Sequence, residues 1–174
     1  MTNITNVLSD EHQNILKVID VVLNECDELE KGKEFKKDFF NDVLNFIKKY
    51  ADGFHHIKEE DILFKTMLED QSGMHCNPIP VMLMEHDEGR NYVKEMENAL
   101  GDGNKHELIE NARGYCYLLQ QHIYKEDNIL YPMAEAALDH LQKQKVNEAY
   151  LSINPTDFFN TDIPSFIESL KQKR

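Results

Sequence analysis

The sequence predicts an all-α protein, an up-down-up-down four-helix bundle with an additional C-terminal helical segment. Two observations predict it. Through most of the 174 residues apolar side chains recur at spacings of three and four, one face of an amphipathic helix. Glycine and proline are scarce, at 7 and 5, so breakers leave helical stretches of roughly 20 to 35 residues joined by short connections, the pattern of a bundle.

The first stretch runs from Thr5 to Lys31, with Leu8, Ile15, Leu16, Ile19, Val22 and Leu23 on one face and a stop near Gly32. Ser9 or Asp10 offers a later start as a cap. The second runs from Lys33 to Glu69 on Phe39, Phe40, Val43, Leu44, Ile47, Ala51, Phe54, Ile62 and Leu63, with the loop QSGMHCNPIP after it. The third covers Ile79 to Leu100, with Pro80 in its first turn, and GDGN ends it. The fourth covers Lys105 to Tyr131, where Pro132 should kink or end it. A shorter helix from Met133 to Leu151 and a terminal helix from Ser165 to Lys171 follow, between Asn-Pro and Ile-Pro breaks. Residues 1–132 are thus expected to form the bundle, and 133–174 a helical extension packed on the same domain.

The net charge of −13 and the lack of a basic stripe argue against a nucleic-acid partner and against an anionic membrane surface. No apolar run of membrane-spanning length occurs, and the N-terminal MTNITNVLSDEH does not read as a signal peptide. Cys26, Cys76 and Cys116 form no C-x-x-C pair, so reduced thiols and a cytoplasmic location are expected.

The chemistry lies in a repeat. HHIKEEDILF, from His55 to Phe64, and HIYKEDNILY, from His122 to Tyr131, share His, Lys, Glu and Ile-Leu at the same offsets. On a helix, His55 and Glu59 lie on one face, as do His122 and Glu126. Each pair sits on an apolar stripe: Ala51, His55, Glu59 and Ile62 in one half, Tyr115, Leu119, His122, Glu126 and Ile129 in the other. A carboxylate buried there is costly unless it is paired or bound to a metal. The first and third stretches add His12, in SDEHQNIL, and His86, in LMEHDEGR, each preceded by Glu on its helix. Four imidazoles and two carboxylates converging in a bundle core suit iron, manganese or zinc. Two carboxylates can bridge two ions, with positions left for oxo or hydroxo bridges and for O₂, peroxide or NO.

The doublets His55–His56 and Glu59–Glu60 leave two registers open, and the repeat chooses between them. Aligning Ile62-Leu63 with Ile129-Leu130 sets His55 against His122 and Glu59 against Glu126. His56 then falls opposite Ile123, packed beside the site or exposed. Glu60 and Asp127 become solvated groups or acceptors of an imidazole N–H.

In combination, these motifs resemble those of the hemerythrin-like (HHE cation-binding) family: E-H on the first helix, H-x-x-x-E-E with I-L-F on the second, E-H-x-x-G-R on the third and H-x-x-x-E-D with I-L-Y-P on the fourth. The resemblance covers His12 to Pro132. It implies a four-helix bundle around two non-haem iron ions, with an oxo or hydroxo bridge. His12 and His55 would ligate one iron and His86 and His122 the other, with Glu59 and Glu126 bridging. Oxygen-carrying members have a second histidine one turn after the third-helix histidine. Arg90 stands at that position here, which implies a symmetric two-plus-two site and places a guanidinium near an anionic ligand or a carboxylate.

Small-molecule redox chemistry with O₂, peroxide or NO is the expected function, with electrons from a redox partner that the sequence does not identify. The alternative is an iron- or oxygen-responsive sensor signalling through the tail from Met133. Iron storage and a structural zinc bundle rank below these. Tyr115 reads as a core residue, with the lining of a ligand pocket as the alternative, and Cys116 as a small core residue. His75-Cys76 reads as an ordinary loop, and His106 and His140 as surface residues.

Overall fold

A computed structural model describes residues 3–69 and 76–174. The described residues are almost entirely helical, with no strand among them. Helix α1 is Asn6–Glu30. Helix α2 spans residues 37–69 without interruption and changes character along its length: α-helical over Lys37–Phe46, π-helical over Ile47–His56 and Lys58–Phe64, and α-helical again over Lys65–Glu69. Helix α3 is Ile79–Asp102. Helix α4 spans residues 105–137 and is α-helical over Lys105–Lys125, π-helical over Glu126–Leu130 and α-helical over Tyr131–Ala137. Helices α5 (His140–Leu151) and α6 (Ile163–Lys173) follow, separated by a 3₁₀ turn at Pro155–Asp157.

The four long helices form a ring of contacts: α1 packs on α2 and α4, and α3 packs on α2 and α4. Gly32 and Gly103 mark the ends of α1 and α3 at φ +98° and +69°, where a side chain would be strained. The packed interior falls into two apolar clusters. One is built on Ile15, Phe39, Phe46, Val93, Met96, Leu119 and Ile123, and the other on Leu8, Leu63, Phe64, Met82, Leu130 and Tyr131. Between them lies a polar layer, because each long helix crosses from one cluster to the other at a buried histidine: His12, His55, His86 and His122.

The wider π-helical turns alter the predicted faces. In an α-helix, successive i+4 positions drift by about 40°, since each residue turns about 100°. A π turn takes in an extra residue and removes most of that drift. The buried stripe on α2 is therefore Ala51, His55, Glu59, Leu63, in strict steps of four, and on α4 it is His122, Glu126, Leu130. Ile62 is only half-buried and Ile129 is 50% exposed. The sequence stripes ended on these two isoleucines because they assumed α periodicity, and both must move one residue on.

Several boundaries also differ. Helix α2 starts at Lys37 rather than Lys33, since Lys36 is extended. Ser9 caps nothing, because α1 begins at Asn6 and the Ser9 hydroxyl bonds Asp127 Oδ1 at 2.7 Å. Pro132 does not end α4. The π-helical segment stops just before it, and Pro132 lies in the first turn of the resumed α segment, where its missing N–H is no loss. The single helix expected over Met133–Leu151 is broken at Leu138, which is extended, and Asp139 starts α5 with a reciprocal capping box to Gln142. Asp162 caps α6, which begins at Ile163 instead of Ser165. His75 and part of the QSGMHCNPIP loop lie outside the described residues, and Cys76 is exposed.

The tail is built into the core. Phe166 stacks on Phe46 at 5.3 Å, Phe159 meets Phe46 edge-on at 5.5 Å, and Leu170 is fully buried. Helix α5 lies against the π-helical part of α2 and buries Val146 and Tyr150 in the cluster around Leu63.

The π-helical register makes an adjacent pair of residues unequal. Leu130→Ala, like Leu63→Ala, is expected to destabilise by about 2 to 5 kcal/mol, and Ile129→Ala by less than about 0.5 kcal/mol. Urea unfolding measures both, and similar costs at 129 and 130 would contradict the register.

Candidate metal centre

All six residues singled out by the repeat reach the polar layer. His12, His55, His86 and His122 are buried, and Glu59 and Glu126 have no exposed surface at all. Each carboxylate turns one oxygen toward each pair of histidines. Glu59 Oε1 is 3.6 Å from His55 Nε2, and its Oε2 is 3.5 Å from His86 Nε2. Glu126 Oε2 is 3.3 Å from His12 Nε2, and its Oε1 is 3.1 Å from His122 Nε2. Two groups result, in each of which one donor atom per residue lies within 4.8 Å of the others: His12, His55, Glu59 and Glu126, and His56, Glu59, His86 and His122. Glu59 belongs to both.

A second layer of carboxylates fixes the imidazoles. His12 Nδ1 bonds Asp127 at 3.0 Å, His55 Nδ1 bonds Glu11 at 2.9 Å, His86 Nδ1 bonds Glu60 at 2.7 Å and His122 Nδ1 bonds Glu85 at 2.9 Å. An ionised carboxylate only accepts, so each Nδ1 donates and each Nε2 lone pair is left pointing inward. The wiring is reciprocal. In the E-H motifs, Glu11 and Glu85 hold the histidines of α2 and α4, while Glu60 and Asp127, which follow the central glutamates, hold those of α3 and α1. Lys58, buried over the Phe54 ring at 3.5 Å, bonds Glu11, and Lys125 bonds Glu85. Arg90 bonds Asp52 at 2.8 Å and Glu60 at 2.6 Å, so its guanidinium serves carboxylates, as one branch of the sequence reading expected.

The roles of Glu11, Glu85, Lys58 and Lys125 were missed in the sequence, although the shared Lys in HHIKEE and HIYKED signals the two lysines. Tyr131 was also missed. Its hydroxyl donates to Glu59 Oε1 at 2.5 Å, and its ring stacks on His12 at 5.4 Å. In the repeat it matches Phe64, which stacks near His86 at 6.1 Å. His56 is buried rather than exposed and packs face to face on His86, with ring centres 3.8 Å apart. Tyr115 and Cys116 are core residues, and His106 and His140 lie on the surface.

These residues fit a metal ion. His55 Nε2, Glu59 Oε2 and both oxygens of Glu126 are buried without a hydrogen-bond partner. His86 Nε2 and His122 Nε2 face each other at 2.9 Å. Orphaned buried polar atoms are expensive, and these are all donors of the imidazole–carboxylate type that suits iron, manganese or zinc. Without a cation, protons take part of its place. Burial raises Glu59 well above the carboxylate range, and the neighbouring Glu126 charge adds to the shift. Burial also opposes charge on Glu126, but His122 and His12 outweigh it and hold that carboxyl ionised. On His12 burial is likewise outweighed, by the hydrogen bond to Asp127 and by the adjacent Glu126 carboxylate, and the imidazole is pushed up to about 9. Burial keeps His55 neutral, and for the same reason His56 falls to about 4.

A pocket of about 220 Å³ reaches one side of this layer. Its walls include His56, His86, His122, Arg90, Gly89, Tyr115 and Leu119, and neither His12 nor His55 is among its lining residues.

The family model described as "Hemerythrin HHE cation binding domain" matches residues 3–134. No curated protein and no solved structure matches the chain.

Two outcomes follow from this geometry. Because the His12 pKa is raised from 6.5 to about 9, its contribution to the metal-free protein is complete below 6.5 and lost as pH rises through about 9. The raised Glu59 pKa acts in the same direction. Thermal melts of chelator-treated protein should therefore fall in midpoint across that window, and a flat or rising midpoint would contradict the assignment. Glu11→Gln and Glu85→Gln are each expected to weaken metal binding roughly 10- to 100-fold in a competition titration.

Proposed function

The chain belongs to the hemerythrin HHE cation-binding family, and on that premise we propose that it is a non-haem di-iron protein that binds or reacts with O₂, peroxide or NO. The observation that carries the reading is the pair of bridging geometries: Glu59 and Glu126 each send separate oxygens to two different histidine pairs. His12 and His55 would hold one iron, and His86 and His122 the other. The scaffold for this centre is an up-down-up-down bundle of α1 to α4, in a cytoplasmic protein. The described residues contain no helix long and apolar enough to cross a membrane.

When bound, two irons supply electrons and coordination positions for the small ligand. The chain's own residues supply everything else. Asp127, Glu11, Glu60 and Glu85 lock the four rings, so the Nε2 atoms are presented without a search of orientations. The apolar clusters on either side keep bulk water from the layer. The pocket beside His86 and His122, lined also by Tyr115 and Leu119, has room for a molecule the size of O₂ or NO. The Tyr131 hydroxyl holds a proton at Glu59 Oε1. Electrons for turnover come from a separate redox partner. The buried Phe166 and Leu170 favour this reading over signalling through the tail, because the tail is part of the core.

Elemental analysis of protein made in iron-replete medium and purified without oxygen tests the proposal. About two irons per chain are expected, the count implied by two donor groups. His55→Ala and Glu126→Ala should lose most of the iron, whereas His140→Ala, at an exposed site, should keep it. Absence of iron, or a single zinc that survives loss of His55, would overturn the reading.

A further inference from the structure

The expected two-plus-two arrangement leaves His56 without a task, yet it is buried and in contact with both Asp52 and His86. It offers one nitrogen within 4.8 Å of donor atoms of Glu59, His86 and His122. Its Nδ1 lies 3.2 Å from Asp52 Oδ1, its one hydrogen bond among the described residues. No hydrogen bond to Nε2 occurs among the described residues, and the ring forms part of the pocket wall, so Nε2 is the atom left for another partner. The ring lies flat on His86 with an interplanar angle of 11°, and because an imidazole lone pair lies in the ring plane, sharing an ion with His86 requires His56 to tilt off that ring.

The support behind it has the same form as that behind the other imidazoles. Asp52 accepts a hydrogen bond from Nδ1–H, as Glu60 does from His86, and Arg90 clamps both carboxylates through contacts of 2.8 and 2.6 Å. One guanidinium thereby positions two stacked rings. The other half of the repeat lacks this arm. The positions matching Asp52, His56 and Arg90 are Leu119, Ile123 and Leu16, all apolar. Three positions on two helices are polar together in one half and apolar together in the other, which is what a single functional unit requires.

We propose that His56 is a further metal-binding residue, joining His86 and His122 through Nε2 at the metal position beside the pocket. Asp52 and Arg90 are its positioning residues. The centre is then two-plus-three in imidazoles, with the third histidine supplied by α2 rather than by the α3 position that Arg90 occupies. The proposal rests on the dinuclear reading above.

The dicobalt(II) form of the full chain tests it by proton NMR. Each imidazole bound through Nε2 keeps an exchangeable Nδ1 proton, which appears as a strongly shifted signal in H₂O and vanishes in D₂O. Five such signals are expected in the wild type and four in His56→Gln, with Asp52→Ala disturbing the signal that His56→Gln removes. Two cobalt ions per chain with only four signals in the wild type would overturn the assignment of His56 and leave the dinuclear reading intact, even if the variants do not fold. Five signals that all survive in His56→Gln would overturn it as well. Fewer than two cobalt ions per chain would overturn the dinuclear reading itself, and this proposal with it.

Discussion

The burial of Glu59 and Glu126 is the constraint on which the rest of the structure depends. Neither carboxylate has any exposed surface, and removing one from water costs several kcal/mol, even after relaxation, unless charge and hydrogen bonds offset it. Four imidazoles surround the pair, and every imidazole needs its own orientation fixed. Four outer carboxylates do that, and Lys58, Lys125 and Arg90 offset three of those in turn. The net charge of −13 therefore understates how evenly the interior is matched. Acid and base alternate outward from the central pair until the network reaches solvent.

That network also accounts for the departure from α-helical geometry. Side chains on α2 and α4 must present His, Glu and Leu in line, at steps of four, across a layer flanked by two apolar clusters. A straight α-helix would rotate the leucine away by about 80° over two steps. The π-helical segments Lys58–Phe64 and Glu126–Leu130 keep it in line, in keeping with the tendency of such segments to occur at functional sites. Pro132 sits just after one of them, where the helical hydrogen-bond pattern has already been interrupted. The helix therefore continues where an isolated proline would end it.

Much of this was legible in the sequence. The helical class, the helix core positions away from the site, and the convergence of His12, His55, His86, His122, Glu59 and Glu126 all followed from spacing and from the repeat. The positions that misled were those governed by something other than α periodicity. Ile62 and Ile129 fit a 3.6-residue pattern and yet turn outward, because the register is set by the layer they flank. Leu138 carries no breaker signal, and only the Asp139–Gln142 pair marks the break. Glu11 and Glu85 look like ordinary surface acids on helices rich in them. Their targets lie on other helices, 44 and 37 residues away in the chain, and no local pattern encodes that.

The two halves of the repeat share what a metal layer requires and differ in what surrounds it. E-H, H-x-x-K-E and the I-L pair are common to both. The aromatic residue that follows is Phe64 in one half and Tyr131 in the other, and only the latter brings a hydroxyl to a central carboxylate. That hydroxyl lies on the His12 side, whereas the pocket and the Asp52–His56–Arg90 arm lie on the His86 side. A proton-bearing group thus faces one histidine pair, and the opening and the additional imidazole face the other. Glu59 touches both, through Oε1 to Tyr131 and Oε2 toward His86, so a change on the pocket side can reach the phenol through it. A scaffold with twofold sequence symmetry is in this way directional, with the pocket and the phenol on opposite faces of one carboxylate.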